Sequence, residues 1–332
     1  LKVALDAMGG DFAPGVAVQG ALAAAPLIRA DIILVGDQER IEGELGGKRP
    51  KNIIVHHASE VIGMQDKPIE SVRRKKDSSI VVGANLVKER EAQAFVSAGN
   101  TGAVSSATLL AWRQVAGVHR PAIASIFPSC GKPFVLLDAG ASPDVDPVHL
   151  MAFGVMGRAY AQRVFERADP KVHLLNIGEE EGKGNTFTKA AYDQLKQFEW
   201  FDGNIEGKDM FKGGCDVVVC DAFVGNVLLK TAEGIGDFLV HEVRKAVPRG
   251  PQRLLYWPVK KVMSPLRRKM DYAEYGGSFL LGLNGNCVIC HGRSNAKAIK
   301  NALLMAATAA ENNLLDTIKG AFEQLEKVST VQ

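Results

Sequence analysis

Residues 94 to 108, Ala-Phe-Val-Ser-Ala-Gly-Asn-Thr-Gly-Ala-Val-Ser-Ser-Ala-Thr, constrain the architecture more than any other stretch. Ala94 to Ser97 read as the end of a buried strand, and Gly99-Asn100-Thr101-Gly102 as a tight turn. From Thr101 an amphipathic run opens, with Val104, Leu109, Trp112 and Val115 spaced for one helical face. Where a strand passes through a glycine turn into a helix, the first helical N–H groups stay unpaired and carry partial positive charge. Asn100, Thr101, Ser105 and Ser106 add side-chain donors. This is apparatus for a small anion, phosphate first, and it is equally an ordinary joint with a capped helix. The motif alone does not decide between them.

The same order recurs along the chain. Lys2 to Asp6 is a strand, Asp6-Ala7-Met8-Gly9-Gly10-Asp11 its loop, and Pro14 starts an alanine-rich helix. Ile32 to Gly36 and Ile53 to His56 are strands around a helix capped by Asp37. Lys67 to Ser79 carries four consecutive bases, and Asp77 or Ser78 caps a helix running to about Glu91. Pro121–Phe127 and Pro133–Leu137 are strands joined too tightly for a crossover, so they form a hairpin and the sheet is mixed. Pro147 opens a helix to about Arg167. Strands follow at Val172–Asn176, Asp216–Cys220 and Asn286–Cys290, with helices at Thr188–Phe198, from Asp221 towards Ala246, and over 296–327. The expected fold is α/β: three-layer αβα with a mixed, largely parallel sheet. Ligands in such sheets bind beyond the carboxyl ends of strands. Loops at Asp6, Gly99, Asp138, Gly178, Asp221 and His291 pair glycine with small or polar residues, which suggests one common rim.

Composition removes several function classes. A chain of 332 residues with 46% hydrophobic and 23% charged residues suits a globular protein, read here as a single domain over 1–332. A net charge of +3 gives no reason to invoke nucleic acid. No apolar run reaches membrane-span length, and the N-terminus enters a strand at once, so a cytoplasmic location is expected. Cys287-Val288-Ile289-Cys290-His291 spells a haem-attachment pattern, but on a strand residues three apart face opposite sides. Cys215 and Cys220, five apart, read the same way. No cofactor is called for.

Familiar nucleotide motifs fail. No Gly-x-Gly-x-x-Gly follows a strand, and the run from Gly178 through Gly182 and Lys183 is one residue short of a phosphate loop. Asp6, Asp11, Asp138 and Asp221 read as loop caps and substrate-shell groups ahead of metal ligands, so no metal is assigned. His291 is the leading acid/base candidate because imidazole titrates near neutrality, beside the plain alternative of a satisfied strand-end histidine. Lys183 either meets an anion or pairs with its adjacent glutamates.

Between Arg244 and Met270 stand nine Lys or Arg and no Asp or Glu. Leu255, Val259, Val262, Leu266 and Met270 share one helical face, Pro258 can start a helix and Pro265 interrupts it. Residues 244–272 are therefore expected to protrude as a basic amphipathic helix–turn–helix. Leu255, Trp257, Lys260, Lys261, Arg267 and Arg268 would meet an anionic membrane surface, an acidic protein or a second subunit.

Taken together, Val3–Asp11, Ser97–Ala103, Asn176–Glu180, Asp221–Asn226, Glu274–Gly277 and His291–Ser294 resemble the bacterial phosphate acyltransferases of the PlsX type, in family order over nearly the whole chain. Ser142 stands where that family usually has Asn, and Ala222 where it has Gly. The resemblance implies an isocitrate/isopropylmalate dehydrogenase-like fold. It also implies acyl transfer from acyl-carrier protein to inorganic phosphate, giving acyl phosphate for phospholipid synthesis. A homodimer, peripheral membrane contact and a downstream acyltransferase that uses acyl phosphate are implied as well. Coenzyme A as donor, or a non-catalytic membrane-surface scaffold, are the competing readings. Phosphate has a second pKa near neutrality and a thiolate leaves readily, so positioning and an oxyanion hole matter more than a nucleophile triad. On this reading Gly99, Asn100, Thr101 and Gly102 hold phosphate, and Lys183 or Arg74 neutralises it. His291 and Asn226 polarise the thioester or protonate sulfur. Asp6, Gly9, Gly10, Asp11, Asp138, Asn176, Gly178, Glu179, Asp221, Gly225 and Ser294 complete the expected substrate shell.

Overall fold

The computed structural model describes residues 1–47, 49–246 and 272–329. The basic segment beyond residue 246, with Leu255, Trp257, Lys260, Lys261, Arg267 and Arg268, lies outside the described residues. The strands are β1 (Lys2–Asp6), β2 (Asp31–Gly36), β3 (Ile53–His57), β4 (Ala94–Ser97), β5 (Ala122–Phe127), β6 (Phe134–Leu137), β7 (Val172–Asn176), β8 (Phe201–Glu206), β9 (Val217–Val219), β10 (Ser278–Leu281) and β11 (Asn286–Ile289). The helices are α1 (Gly15–Ala24), α2 (Gln38–Leu45), α3 (Pro68–Arg74), α4 (Ser79–Lys88), α5 (Thr101–Trp112), α6 (Pro147–Arg163), α7 (Thr186–Leu195), α8 (Ala222–Ala246), α9 (Ala296–Glu311) and α10 (Leu314–Ser329).

All the described strands join one sheet in the order β3-β2-β1-β4-β11-β10-β5-β6-β9-β7-β8. Side chains alternate across it. Val3, Leu5 and Val96 enter a core shared with α1, α6, α9 and α10, while Ala4 and Phe95 enter the opposite core under α4 and α5. Farther along that second face, Phe127, Phe134, Leu136 and Val218 pack with residues of α8. The result is the expected three-layer αβα arrangement. Phe95 is fully buried against Gly83 of α4, where any side chain would overlap its ring. That close approach seats α4 beside β4 and so beside the turn into α5.

The common rim is corrected by the strand directions. β3, β2, β1, β4 and β11 are parallel. β10 is antiparallel to both β11 and β5, and β5 is antiparallel to β6. β9, β7 and β8 then run with β6. Three reversals leave the two halves pointing opposite ways. The loops at Asp6, Gly99 and His291 therefore open at one edge, and those at Asp138, Gly178 and Asp221 at the other. The facing of the cysteines is half right: Cys287 and Cys290 enter opposite cores, whereas Cys215 and Cys220 share one. Cys215 lies before β9 starts, so strand alternation does not govern it.

Two histidines couple this fold to pH. His149 Nδ1 accepts the Asp146 N–H at the start of α6 at 2.8 Å, and His173 Nε2 lies 3.3 Å from Asp202. Burial holds both imidazoles below the usual histidine range, against Asp146 for His149 and against Asp202 and Asp216 for His173. Arg120 and His119 push His149 the same way as burial. The unfolded chain thus binds protons first. Stability is fully present above about pH 6.5 and declines as pH falls from there towards the lower folded values. Gln at position 149 can accept the same N–H, as in an ordinary capping box. His149→Gln is expected to keep the thermal midpoint near neutral pH and to shrink its fall on acidification, followed by scanning calorimetry across pH.

Candidate active site

The Asp6 edge is wired from beneath. The Gly99 N–H donates to Ser97 Oγ at 3.0 Å, Ser97 Oγ–H donates to Asp6 Oδ2 at 2.7 Å, and the Met8 N–H donates to Asp6 Oδ1 at 3.1 Å. Asp6 is buried, and burial pushes its carboxyl up against the pull of these donors. A Cβ at Gly9 would overlap that carboxylate, and Asp11 N–H donates to Gly292 O at 2.9 Å. Asp6 and Gly99 are therefore committed to holding the β1, β4 and β11 loops together. The expectation that the Gly99 amide holds phosphate is corrected, because Ser97 occupies it.

Asn100 is committed too. Its Oδ1 accepts the Ala103 N–H at 3.1 Å, and its Nδ2 donates to Met64 O at 2.9 Å and Asp66 O at 3.1 Å. It caps α5 and ties down the loop after β3. Gly102 is required by that packing, since a Cβ there would press Pro68 Cγ at 2.7 Å. What remains open is Thr101, exposed at the first position of α5, with its hydroxyl and the Thr101 and Gly102 amides unpartnered among the described residues.

The loop held by Asn100 carries the charge. Lys75 Nζ binds Asp66 Oδ2 at 2.8 Å and Val61 O at 2.6 Å, and Lys67 meets Glu70 at 3.4 Å. The Lys75 hydrogen bond, then the Gly63 N–H, hold the Asp66 carboxyl below the usual range, and Arg74 adds to this. Arg73 and Arg74 are exposed and have no carboxylate partner among the described residues. With Gln65, Asp66, Lys67, Glu70 and Ser71 they line an open depression beside α5. The depression adjoins the cap of α5, because Asn100 donates to the Asp66 carbonyl and Pro68 packs on Gly102.

At the end of β11, His291 is exposed and its Nδ1 accepts the Arg293 N–H at 3.1 Å. That bond places the proton of a neutral ring on Nε2. Ser294 is buried, its hydroxyl unpartnered among the described residues, beside a cavity of about 10 Å³ under Gly9, Gly10 and Gly292. A space of that size holds at most one water, so Ser294 is corrected from substrate contact to interior residue.

The far edge gathers Asp138, Asn176, Gly178, Glu179, Lys183, Asp221, Gly225 and Asn226. Asp138 is fully buried and accepts N–H bonds from Ile123, Gly140, Ala141 and Ser142 at 2.8–3.0 Å. Burial pushes its carboxyl up and those donors pull it down. Asp221 Oδ1 accepts the Val224 N–H and caps α8. Asn176 bonds Ile177, Lys183 and Asn204, Gly178 packs on the Lys183 stem, and Glu179 is exposed. Lys183 Nζ lies 3.9 Å from Glu180, so its paired reading is the observed one. Gly225 sits on the Asp138 carbonyl, and Asn226 faces Gly140. β4 and β7 are six strand steps apart, roughly 29 Å at sheet spacing. Within one chain Lys183 therefore cannot neutralise an anion at Thr101, and Asn226 does not join His291. Sequence reasoning missed the committed roles of Ser97 and Asp66; only the loop order hinted at either.

Among the described residues no helix is long and apolar enough to cross a membrane. A family model described as fatty acid synthesis protein matches residues 1–317. The phosphate acyltransferase of Desulforamulus reducens is 48% identical over 97% of this chain and 98% of its own. That of Pelotomaculum thermopropionicum is 47% identical over 98% and 96%. A phosphotransacetylase structure from Streptococcus pyogenes superposes with a TM-score of 0.62 at 16% identity, over 94% of both chains, which supports the fold alone. With this extent of likeness to curated relatives over nearly the whole chain, the chain belongs to the phosphate acyltransferase family and is an acyltransferase.

Proposed function

We propose that the chain transfers a fatty acyl group from acyl-carrier protein to inorganic phosphate at the Thr101 edge, releasing acyl phosphate for phospholipid synthesis. The observation that carries this is the exposed Thr101 hydroxyl and open α5 amides, on a helix packed against α3, which carries the exposed Arg73 and Arg74. A phosphate oxygen attacks the thioester carbonyl, the C–O bond forms, and the oxyanion collapses with loss of the C–S bond. The thiolate leaves and takes a proton from the medium, while the Nε2–H of the neutral His291 ring donates a hydrogen bond to the thioester oxygen as negative charge develops there. Thr101 and the Gly102 amide orient phosphate, and Arg74, with Arg73, offsets its charge.

Acyl-carrier protein is acidic, and the basic run between Arg244 and Met270 supports it over coenzyme A as donor. The same run supports peripheral contact with anionic lipid and a cytoplasmic site of action. Phe223, Val227, Ile235, Phe238 and Leu239 of α8 are exposed, which supports a homodimer. Any joint action of Asn226 or Lys183 with Thr101 needs that second copy. The test is mass spectrometry of products from purified protein, phosphate and matched acyl thioesters of carrier protein and coenzyme A. Acyl phosphate formed preferentially from the carrier-protein thioester is expected. Preference for coenzyme A would move the donor assignment, and no acyl phosphate from either would remove the reading.

A further inference from the structure

Ser125 on β5 and Ser278 on β10 face each other across the strand pair, with hydroxyl oxygens 2.8 Å apart. They interrupt an otherwise apolar sheet face. On one side Ile123, Leu280 and Ile289 belong to the core under α4 and α5. On the other, Phe127 and Leu136 belong to the core that packs with α8. The two hydroxyls therefore mark the seam between the two halves of that face. Ser278 stands opposite Ile289 in the β10–β11 register, and His291 follows two residues later. The N-terminal end of β10 is thus at the same edge as His291 and Thr101.

Burial decides which hydroxyl donates. Ser125 is only 3% exposed, whereas Ser278 is partly buried and less enclosed. If Ser278 donated, the Ser125 proton would be buried with no other acceptor among its described bonds, an unfavourable arrangement. Ser125 therefore donates to Ser278. That leaves the Ser278 proton directed away from its partner, on a hydroxyl polarised by the bond it accepts.

We propose that Ser278 donates this hydrogen bond to an acceptor oxygen of bound substrate, and that Ser125 is the positioning residue that fixes its direction. The acceptor is an oxygen of phosphate or the carbonyl of the acyl thioester. The inference rests on acyl transfer at this edge. Hydroxyls that only stitch two strands together would contribute to stability and leave kinetics alone.

The experiment is steady-state kinetics of Ser278→Ala, Ser278→Thr, Ser125→Ala and the double alanine variant. Phosphate and acyl thioester are varied separately, and thermal midpoints are recorded alongside. Ser278→Ala is expected to lower kcat/KM about tenfold for the substrate it touches, which identifies the acceptor, and Ser278→Thr to recover most of it. Ser125→Ala should cause a smaller loss that vanishes in the double variant, because it acts only through Ser278. Equal kcat/KM for Ser278→Ala and the unmodified protein with both substrates, whatever the thermal midpoints do, overturns the proposal. Independent, additive losses from the two serines overturn the positioning role. If the unmodified protein makes no acyl phosphate, the underlying reading fails instead, and that outcome is separately visible.

Discussion

Thr101→Val is expected to lower kcat/KM for phosphate about 10²-fold while leaving the thermal midpoint nearly unchanged. Valine keeps the branched shape and the backbone amide but removes the one exposed hydroxyl at the open end of α5. Thr101 makes no described hydrogen bond within the protein, so its removal has little structural cost. His291→Ala should lose activity on a similar scale, through kcat rather than through the KM for phosphate, because the Nε2–H would no longer hydrogen-bond the thioester oxygen in the transition state. Near-normal rates for both variants would displace the chemistry from this edge.

Gly225→Ala is expected to destabilise the protein by about 2 kcal/mol. Alanine gains at most about 1 kcal/mol of helix propensity over glycine. Against that, a methyl at this position overlaps the Asp138 backbone carbonyl and crowds the Cys220 sulfur. Both belong to rigid strand ends, and overpacking of that kind costs about 1–3 kcal/mol or more. Gly43, on α2, has nothing within 4 Å of the corresponding position. Gly43→Ala should therefore raise stability by about 0.5–1 kcal/mol, so one substitution type is expected to act with opposite signs. Denaturant titration of both variants checks this. A neutral Gly225→Ala would mean that α8 is not seated on the Asp138 loop.

Much of this fold is legible in local pattern. The hairpin from Pro121 to Leu137, the Asp37 cap and the turn from β4 into α5 all follow from period, proline and cap residues. Long-range pairing is harder to read. β10 has only four residues between Gly277 and Gly282, and β8 contains Asp202, Gly203 and Glu206, so neither presents a clear strand signal. Yet β10 joins the two halves of the sheet, and the parity of antiparallel neighbours there sets which edge each later loop occupies. α3 hides within a basic run led by Pro68, and the C-terminal helix breaks at Asn313, which adopts φ 54°. Leu109 fits the apolar stripe of α5 but is exposed, because the helix buries Ala103, Val104, Ala107 and Trp112 instead.

At the site, residue type was informative and residue commitment was not. Asn100, Gly99, Asp6 and Asp138 all stand in loops suited to ligands, but each spends its polar atoms on neighbouring groups of the protein, the Ser97 hydroxyl for Gly99 and Asp6 and backbone for the others. Thr101 and Arg74 differ from them only in what they fail to bond, which a one-dimensional pattern does not reveal.

Isothermal titration of inorganic phosphate tests the placement of the anion site most directly. Binding to the unmodified protein should weaken about tenfold or more in Thr101→Val and in Arg74→Gln, and should be retained in Lys183→Ala. Unchanged phosphate affinity in the first two, with loss confined to Lys183→Ala, would contradict an anion site at the start of α5.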